Sequence, residues 1–151
     1  MGLRETIANR FLEQPFKGLT AEQMAERLEL AGRTLERTFA AATDNPDNRK
    51  LLSHITGIER WGQSRLQAAL GAPLLMDEYD GYRPPREAGW AELQAAFHST
   101  RQQTVAQARQ LGQAVSAGVK LPHNQFGPLT VRSWLRYLDM HANLEAKKLR
   151  S

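Results

Sequence analysis

Two side chains close to the last residue of the chain pose the chemical question. His141 and Glu145 stand four residues apart in YLDMHANLEAKKLRS, residues 137–151. On a helix that spacing sets an imidazole and a carboxylate one turn apart on one face, where both can reach a single metal ion. They belong to a stripe that begins with Val131, Trp134 and Leu138 and ends on Leu149, so the face that carries them is the apolar one. A carboxylate buried without a partner costs several kcal/mol, so an inward Glu145 needs a cation or a proton. His141, a nearby arginine or a divalent ion could each supply it. A third metal ligand must come from another helix, and His54 is the histidine on a second inward stripe. The same features also have a plainer reading. A His–Glu pair at this spacing can be a solvated surface contact, and a single inward histidine can be a hydrogen-bonded core residue.

The other two histidines fall outside this constellation. His98 lies one step off the apolar row of its helix, beside Phe97, which places it at the periphery. His123 sits in LPHNQFGPLT and reads as a solvated loop residue or a lid residue. With Tyr79 and Tyr82 it is a candidate general base on composition alone. Asp77, Glu78 and Asp80 cluster in a loop without the spacing and glycine of an EF-hand, so they read as solvated acids. The chain has no P-loop, no G-x-G-x-x-G and no G-x-S-x-G elbow.

Periodicity and punctuation give the elements that must position these groups. Thr20 precedes AEQMAERLELAGRTLERTFAAAT with Gln23 three residues on, which is a capping-box pattern. Met24, Leu28, Ala31, Leu35 and Phe39 give that helix its apolar face, and it should stop near Thr43. Before it, LRETIANRFLEQ predicts a shorter helical arm ended by Pro15. Asn45 and Pro46 open the next helix, and Gly71 with Pro73 closes it. Its inward stripe reads Leu51, His54, Ile55, Ile58, Trp61, Leu66 and Ala69.

MDEYDGYRPPREAG is a connector that contains Tyr79 and Tyr82. A third helix runs from Trp90 to Ser116, with Leu93, Phe97, Thr100, Thr104, Ala108, Leu111 and Val115 inward. AGVKLPHNQFGP is the next connector, and the last helix starts near Leu129 or Thr130. Alternating β-branched runs and Asn-Gly or Asp-Gly turns are missing, so strand signals are weak. The expected fold is all-α: one domain over residues 1–151, a four-helix bundle with a short N-terminal helical arm.

Composition narrows the function classes. The chain of 151 residues has the size of one ordinary domain. At that length it buries about 68–70% of its unfolded surface and needs no disulfide or metal merely to fold. With no cysteine, thiolate metal sites and cysteine nucleophiles are excluded, and any metal ligand must be His, Asp, Glu or backbone oxygen. Twenty Lys and Arg stand against 16 Asp and Glu, but they are dispersed, so no nucleic-acid face is expected. No apolar stretch has the length of a membrane span. MGLRET formally matches an acylation pattern through Gly2 and Thr6, lacks a polybasic partner signal, and reads as an ordinary exposed N-terminus. A cytoplasmic protein is the expectation.

At these residues the sequence resembles the DinB/YfiT-like superfamily of bacterial four-helix bundles. LLSHITGIERWGQSRL is similar to that family's second helix, which carries an early histidine. FGPLTVRSWLRYLDMHANLEAKKL is similar to its last helix, with an H-x-x-x-H pattern. The resemblance runs from about Thr20 to Ser151. It implies a divalent transition metal, Zn, Ni, Fe or Mn, held by His54, His141 and, where the family usually has histidine, Glu145. Two imidazoles and one carboxylate suit Zn hydrolases and Fe sites with open positions, although the same departure could mark a member that has lost its metal. Lys148, where the family often has glutamine, is a second departure. The resemblance further implies either a metal-dependent enzyme acting on a small molecule, by hydrolysis or thiol-dependent transfer, or a non-catalytic stress-response or binding bundle. It also implies a homodimer paired through helix faces.

Overall fold

The computed structural model describes residues 2–151. The arm consists of α1 (Leu3–Ile7), a π-helical stretch (Ala8–Glu13) and α2 (Gln14–Phe16). It does not end at Pro15. That residue lies in the first turn of α2, and the chain leaves the helix only at Lys17. A proline ring clashes with the carbonyl four residues earlier in a regular α-helix, and the π-helical widening just before it relieves that clash. Leu12 and Phe16 are buried as a result.

Four long helices follow: α3 (Ala21–Ala41), α4 (Pro46–Ala68), α5 (Trp90–Ala114) and α6 (Val131–Ala146). Three of their starts are side-chain caps. The Thr20 hydroxyl accepts from the Gln23 N–H while Gln23 accepts from the Thr20 N–H. Asn45 accepts from the Asn48 N–H, with Pro46 next. Thr130 accepts from the Ser133 N–H. Each cap satisfies a backbone donor that the helix itself leaves open, worth about 1 kcal/mol.

Pairs across the helices fix their directions. Ala21 lies against Gly112 and Phe39 against Phe97, so α3 and α5 are antiparallel. Glu59 meets Arg101 and Gln63 meets Gln107, so α4 and α5 run parallel. His54 faces His141 and Trp61 faces Trp134, so α4 and α6 are antiparallel. Parallel neighbours cannot be joined by a tight turn, and the connector 69–89 travels back along α4. Arg65, fully buried, donates to the carbonyls of Leu75 and Asp77. The Asp77 carbonyl also accepts from Trp61 Nε1, and its carboxylate accepts from the Tyr82 hydroxyl. Asp77, expected as a solvated acid, is therefore an anchor of this connector. A 3₁₀ turn, Tyr79–Tyr82, brings it beside His54.

The second connector adds a small ribbon, not expected from the sequence, to an otherwise helical chain. Strands β1 (Lys120–His123) and β2 (Gly127–Thr130) form an antiparallel ribbon, Lys120 opposite Thr130 and His123 opposite Gly127. Pro122 pairs with Pro128, and two prolines in so short a ribbon mask the strand signal. A three-residue loop turns the chain, closed by Gly127 at φ 72°, a left-handed conformation that favours glycine. The chain is mostly helical with this one small ribbon among the described residues. None of those helices is long and apolar enough to cross a membrane.

The core divides into two apolar clusters, one around Leu28, Ile58, Val105 and Leu138, the other around Leu35, Ile55, Phe97 and Ala142. On α5 and α6 a buried polar layer falls between them, and Glu59 of α4, next to Ile58, joins it. Arg101 on α5 donates twice to the Glu59 carboxylate on α4, at 2.8 and 2.9 Å. It also donates at 3.0 Å to Asp139 on α6 and at 3.0 Å to the Leu28 carbonyl on α3. Gly32 makes room for it, since a Cβ there would stand 2.7 Å from Arg101 Cγ.

Replacing Arg101 by methionine would leave two buried carboxylates without their cation. The expected cost is about 3–5 kcal/mol of stability, read as a lowered urea midpoint at pH 7. An unchanged midpoint would show that the layer does not tie the helices together.

Candidate metal centre

His54 occupies the third turn of α4, beside buried Leu52 and Ile55, and His141 and Glu145 lie on α6 beside buried Ala142 and Ala146. Because the two helices are antiparallel and in contact, the histidines meet with Nε2 to Nε2 at 3.1 Å. One potential ligand atom from each of His54, His141 and Glu145 lies within 4.8 Å of the other two. The three residues singled out by spacing and phase are brought together. All three are half-buried, at the rim of the core rather than in its centre.

Side-chain packing joins α4 and α6 on one side of these residues. At Gly62, two turns beyond His54, an added Cβ would stand 2.5 Å from Leu138 Cδ2. A larger residue there would collide with Leu138 and disturb the packing of α4 on α6, two turns from the ligands. From the other side, Asn48 donates to the carbonyls of Thr43 and Arg150 and accepts from the Arg150 N–H. This holds the segment after α6 against the start of α4.

Burial sets the protonation states. It pushes His141 down to about 4, with His54 adding to the fall and Glu145 opposing it. It also lowers His54, against a partial rise from Glu145. Glu145 is itself raised by burial. Hydrogen bonds from Lys148, with the charge interactions of Lys148 and the two histidines, outweigh this and leave its pKa below the ordinary value. Near pH 7 the group is therefore two neutral imidazoles and one carboxylate. His141 Nδ1 is buried and has no hydrogen-bond partner within the protein, so part of the cost of burying this ring is uncompensated by the chain.

The donor set fits a divalent transition metal. Two imidazole nitrogens at bond lengths of about 2.0–2.1 Å stand about 3.3 Å apart in a tetrahedral site and about 2.9 Å apart along an octahedral edge. The observed 3.1 Å falls between them. Lys148 opposes occupation, because its ammonium donates to both Glu145 oxygens at 2.9 and 3.0 Å. Around the ligands, the Tyr79 ring meets His54 edge-on at 4.9 Å and Tyr137 packs on His141 at 6.0 Å. Burial, with the Glu145 charge, pushes Tyr137 up to about 12, so it stays a neutral phenol.

The remaining candidates separate. Tyr79 borders the site, with its hydroxyl accepting from Arg83. The Tyr82 hydroxyl is instead turned to Ser64 and Asp77. His98 is exposed, as expected, and paired with Glu36. His123 overturns its reading as a solvated loop or lid residue, being only 3% exposed. Its Nδ1 accepts from the N–H groups of Gln125 and Phe126, and its ring is enclosed by Trp61, Phe126, Trp134 and Tyr137. The missed signal was a two-residue alternation, Leu121 and His123 inward, on strand β1. Sequence reasoning also passed over Arg101, four residues after Phe97, and Arg65, four after Trp61, both in phase with their inward stripes.

No family model, curated protein or solved structure matches this chain.

Burial pushes His123 down to about 4, with Arg65 adding to the fall. In the unfolded chain this group titrates near about 6.5. Between those values the unfolded state binds the proton and the folded state does not, so stability falls as pH falls through that window. The expected slope from this residue is up to about 1.4 kcal/mol per pH unit. His123→Asn keeps an acceptor for the two N–H groups, and should show a shallower loss between pH 6.5 and 5 in urea unfolding. Equal slopes in the two proteins would contradict this.

Proposed function

We propose that the chain is a four-helix bundle of the DinB-like type that holds one divalent transition metal, Zn, Ni, Fe or Mn, through His54, His141 and Glu145. We propose further that it acts on a small molecule, as a hydrolase or a thiol-dependent transferase. The observation that carries this reading is the approach of two imidazoles and one carboxylate from two helices, with one potential ligand atom of each within 4.8 Å of the others. A divalent cation held there would supply Lewis acidity to a water, thiol or carbonyl group in the positions the protein leaves open.

The chain's own residues account for the rest of the arrangement. Tyr79 and Tyr137 pack against the two imidazoles and restrict their rotation. Arg83 lies over the Tyr79 ring and donates to its hydroxyl, a contact within the connector that orients the ring facing His54. Gly62 leaves room for the Leu138 side chain, which packs α4 against α6 two turns from the ligands.

One observation favours a second reading. Lys148 already neutralises Glu145, as expected of a non-catalytic bundle, a dimer through its helix faces, whose metal site has been lost.

Elemental analysis of untagged protein separates the two. The first reading expects about one transition metal per chain, lost in His141→Ala and in Glu145→Ala while far-ultraviolet circular dichroism stays unchanged. It also expects Lys148→Met to bind the metal several-fold more tightly, since a competing cation is removed. The second reading expects no metal in the wild type even after incubation with Zn²⁺, Ni²⁺, Mn²⁺ or Fe²⁺.

A further inference from the structure

Beside His54 the surface opens into a cavity of about 350 Å³. Lys50, Arg83, Lys148 and Arg150 line it together with His54, and Asp47 is the acid among its lining residues. Arg83 reaches this position because Gly57, three residues after His54, has no side chain. A Cβ there would stand 3.0 Å from Arg83 Cγ and 3.4 Å from its Cα. The backbone of the connector is thereby pressed against α4, and Arg83 lines both the cavity and a larger neighbouring groove of about 1030 Å³. Lys50 also lines both openings.

The partners of these cations differ. Arg83 stands 3.4 Å from Asp80, and Lys148 is bound to Glu145. Among the described residues, no salt bridge involves the side chain of Lys50 or Arg150. Four cations therefore face one cavity acid, Asp47, and two acids, Asp80 and Glu145, that are already paired. Occupation of the metal centre shifts this balance further. Were Glu145 to ligate a cation, its pairing with Lys148 would weaken and leave the ammonium, at the cavity it already lines, next to the added positive charge.

The geometry points to a substrate that carries an anionic group, a carboxylate or a phosphate, received in this cavity by Lys50, Arg83, Arg150 and Lys148 while its reactive part faces His54. This inference rests on the metal-centre reading for its chemistry, but its recognition elements are separate side chains. Charged groups of opposite sign in a partly enclosed cleft also concentrate such a ligand and speed its arrival.

The test is calorimetric titration of succinate, phenyl phosphate and, as the uncharged counterpart, succinamide. Each is added to chelator-treated protein and to protein loaded with Zn²⁺, with metal content measured on every sample. The expected result is one saturable site per chain for the two anions, tighter in the loaded protein, and none for succinamide. Lys50→Gln and Arg83→Gln should each weaken it at least tenfold, without changing metal content. Arg109→Gln, a surface cation paired with Glu22 on the far helices, should leave it unchanged. Metal bound with no saturable anion binding would overturn this proposal and leave the metal centre standing. Anion binding that is lost in the Lys50 and Arg83 variants, in protein that takes up no metal, would uphold it and remove the metal reading. Binding that survives both substitutions would be diffuse charge attraction, and would overturn it.

Discussion

One guanidinium joins all four long helices. Arg101 belongs to α5 and bonds to a carboxylate on α4, a carboxylate on α6 and a backbone carbonyl on α3. Burial alone would lower its pKa, yet the two carboxylates raise it above the ordinary arginine value. The charge is therefore permanent. A buried ion group adds little to stability compared with an apolar core, but it penalises every arrangement that separates its members. Sliding α4, α5 or α6 by one turn would strand a charge among apolar side chains. The register of α4 against α6, on which the His54–His141 contact depends, is constrained by the same layer, through Glu59 and Asp139.

Topology then brings the surroundings of the site into place. Since α4 and α5 run parallel, the intervening connector must retrace α4, and its fixings are buried and numerous. Arg65 and Trp61 hold the carbonyls of Leu75 and Asp77. Tyr82 holds the Asp77 carboxylate, and Gly57 admits the backbone at Arg83. A connector pinned at these points can place Tyr79 and Arg83 beside a helix histidine as firmly as a helix could. The ribbon is fixed in the same way. Arg65 donates to the Pro122 carbonyl and to Asn124, while Trp134 donates to the Leu121 carbonyl.

The candidate centre holds opposing electrostatic demands. Burial favours neutral imidazoles, which are the form that ligates a metal. The carboxylate of Glu145 keeps its charge through Lys148, and that same ammonium competes with any cation for it. A third histidine would need no such partner. Glu145 and Lys148 are thus one electrostatic unit, and exchanging either alone alters the charge balance at His54 and His141.

What the sequence determined by itself was local and periodic. Caps at Thr20 and Asn45 and the inward stripe of α5 depend on neighbours within a few residues, so they were legible. The phase of His54, His141 and Glu145 was legible for the same reason, as it is a property of one helix at a time. Tertiary structure decided which helices lie side by side, and therefore that His54 meets His141. It also decided that Arg101, Glu59 and Asp139 share one layer. Their inward phases were visible singly, but their pairing spans 38 to 42 residues. The buried His123 and the ribbon were hidden because proline and glycine obscure strand propensity, and the burial of that ring comes from aromatic groups on α4 and α6. Periodicity reports which way a side chain faces, and only packing reports what it faces.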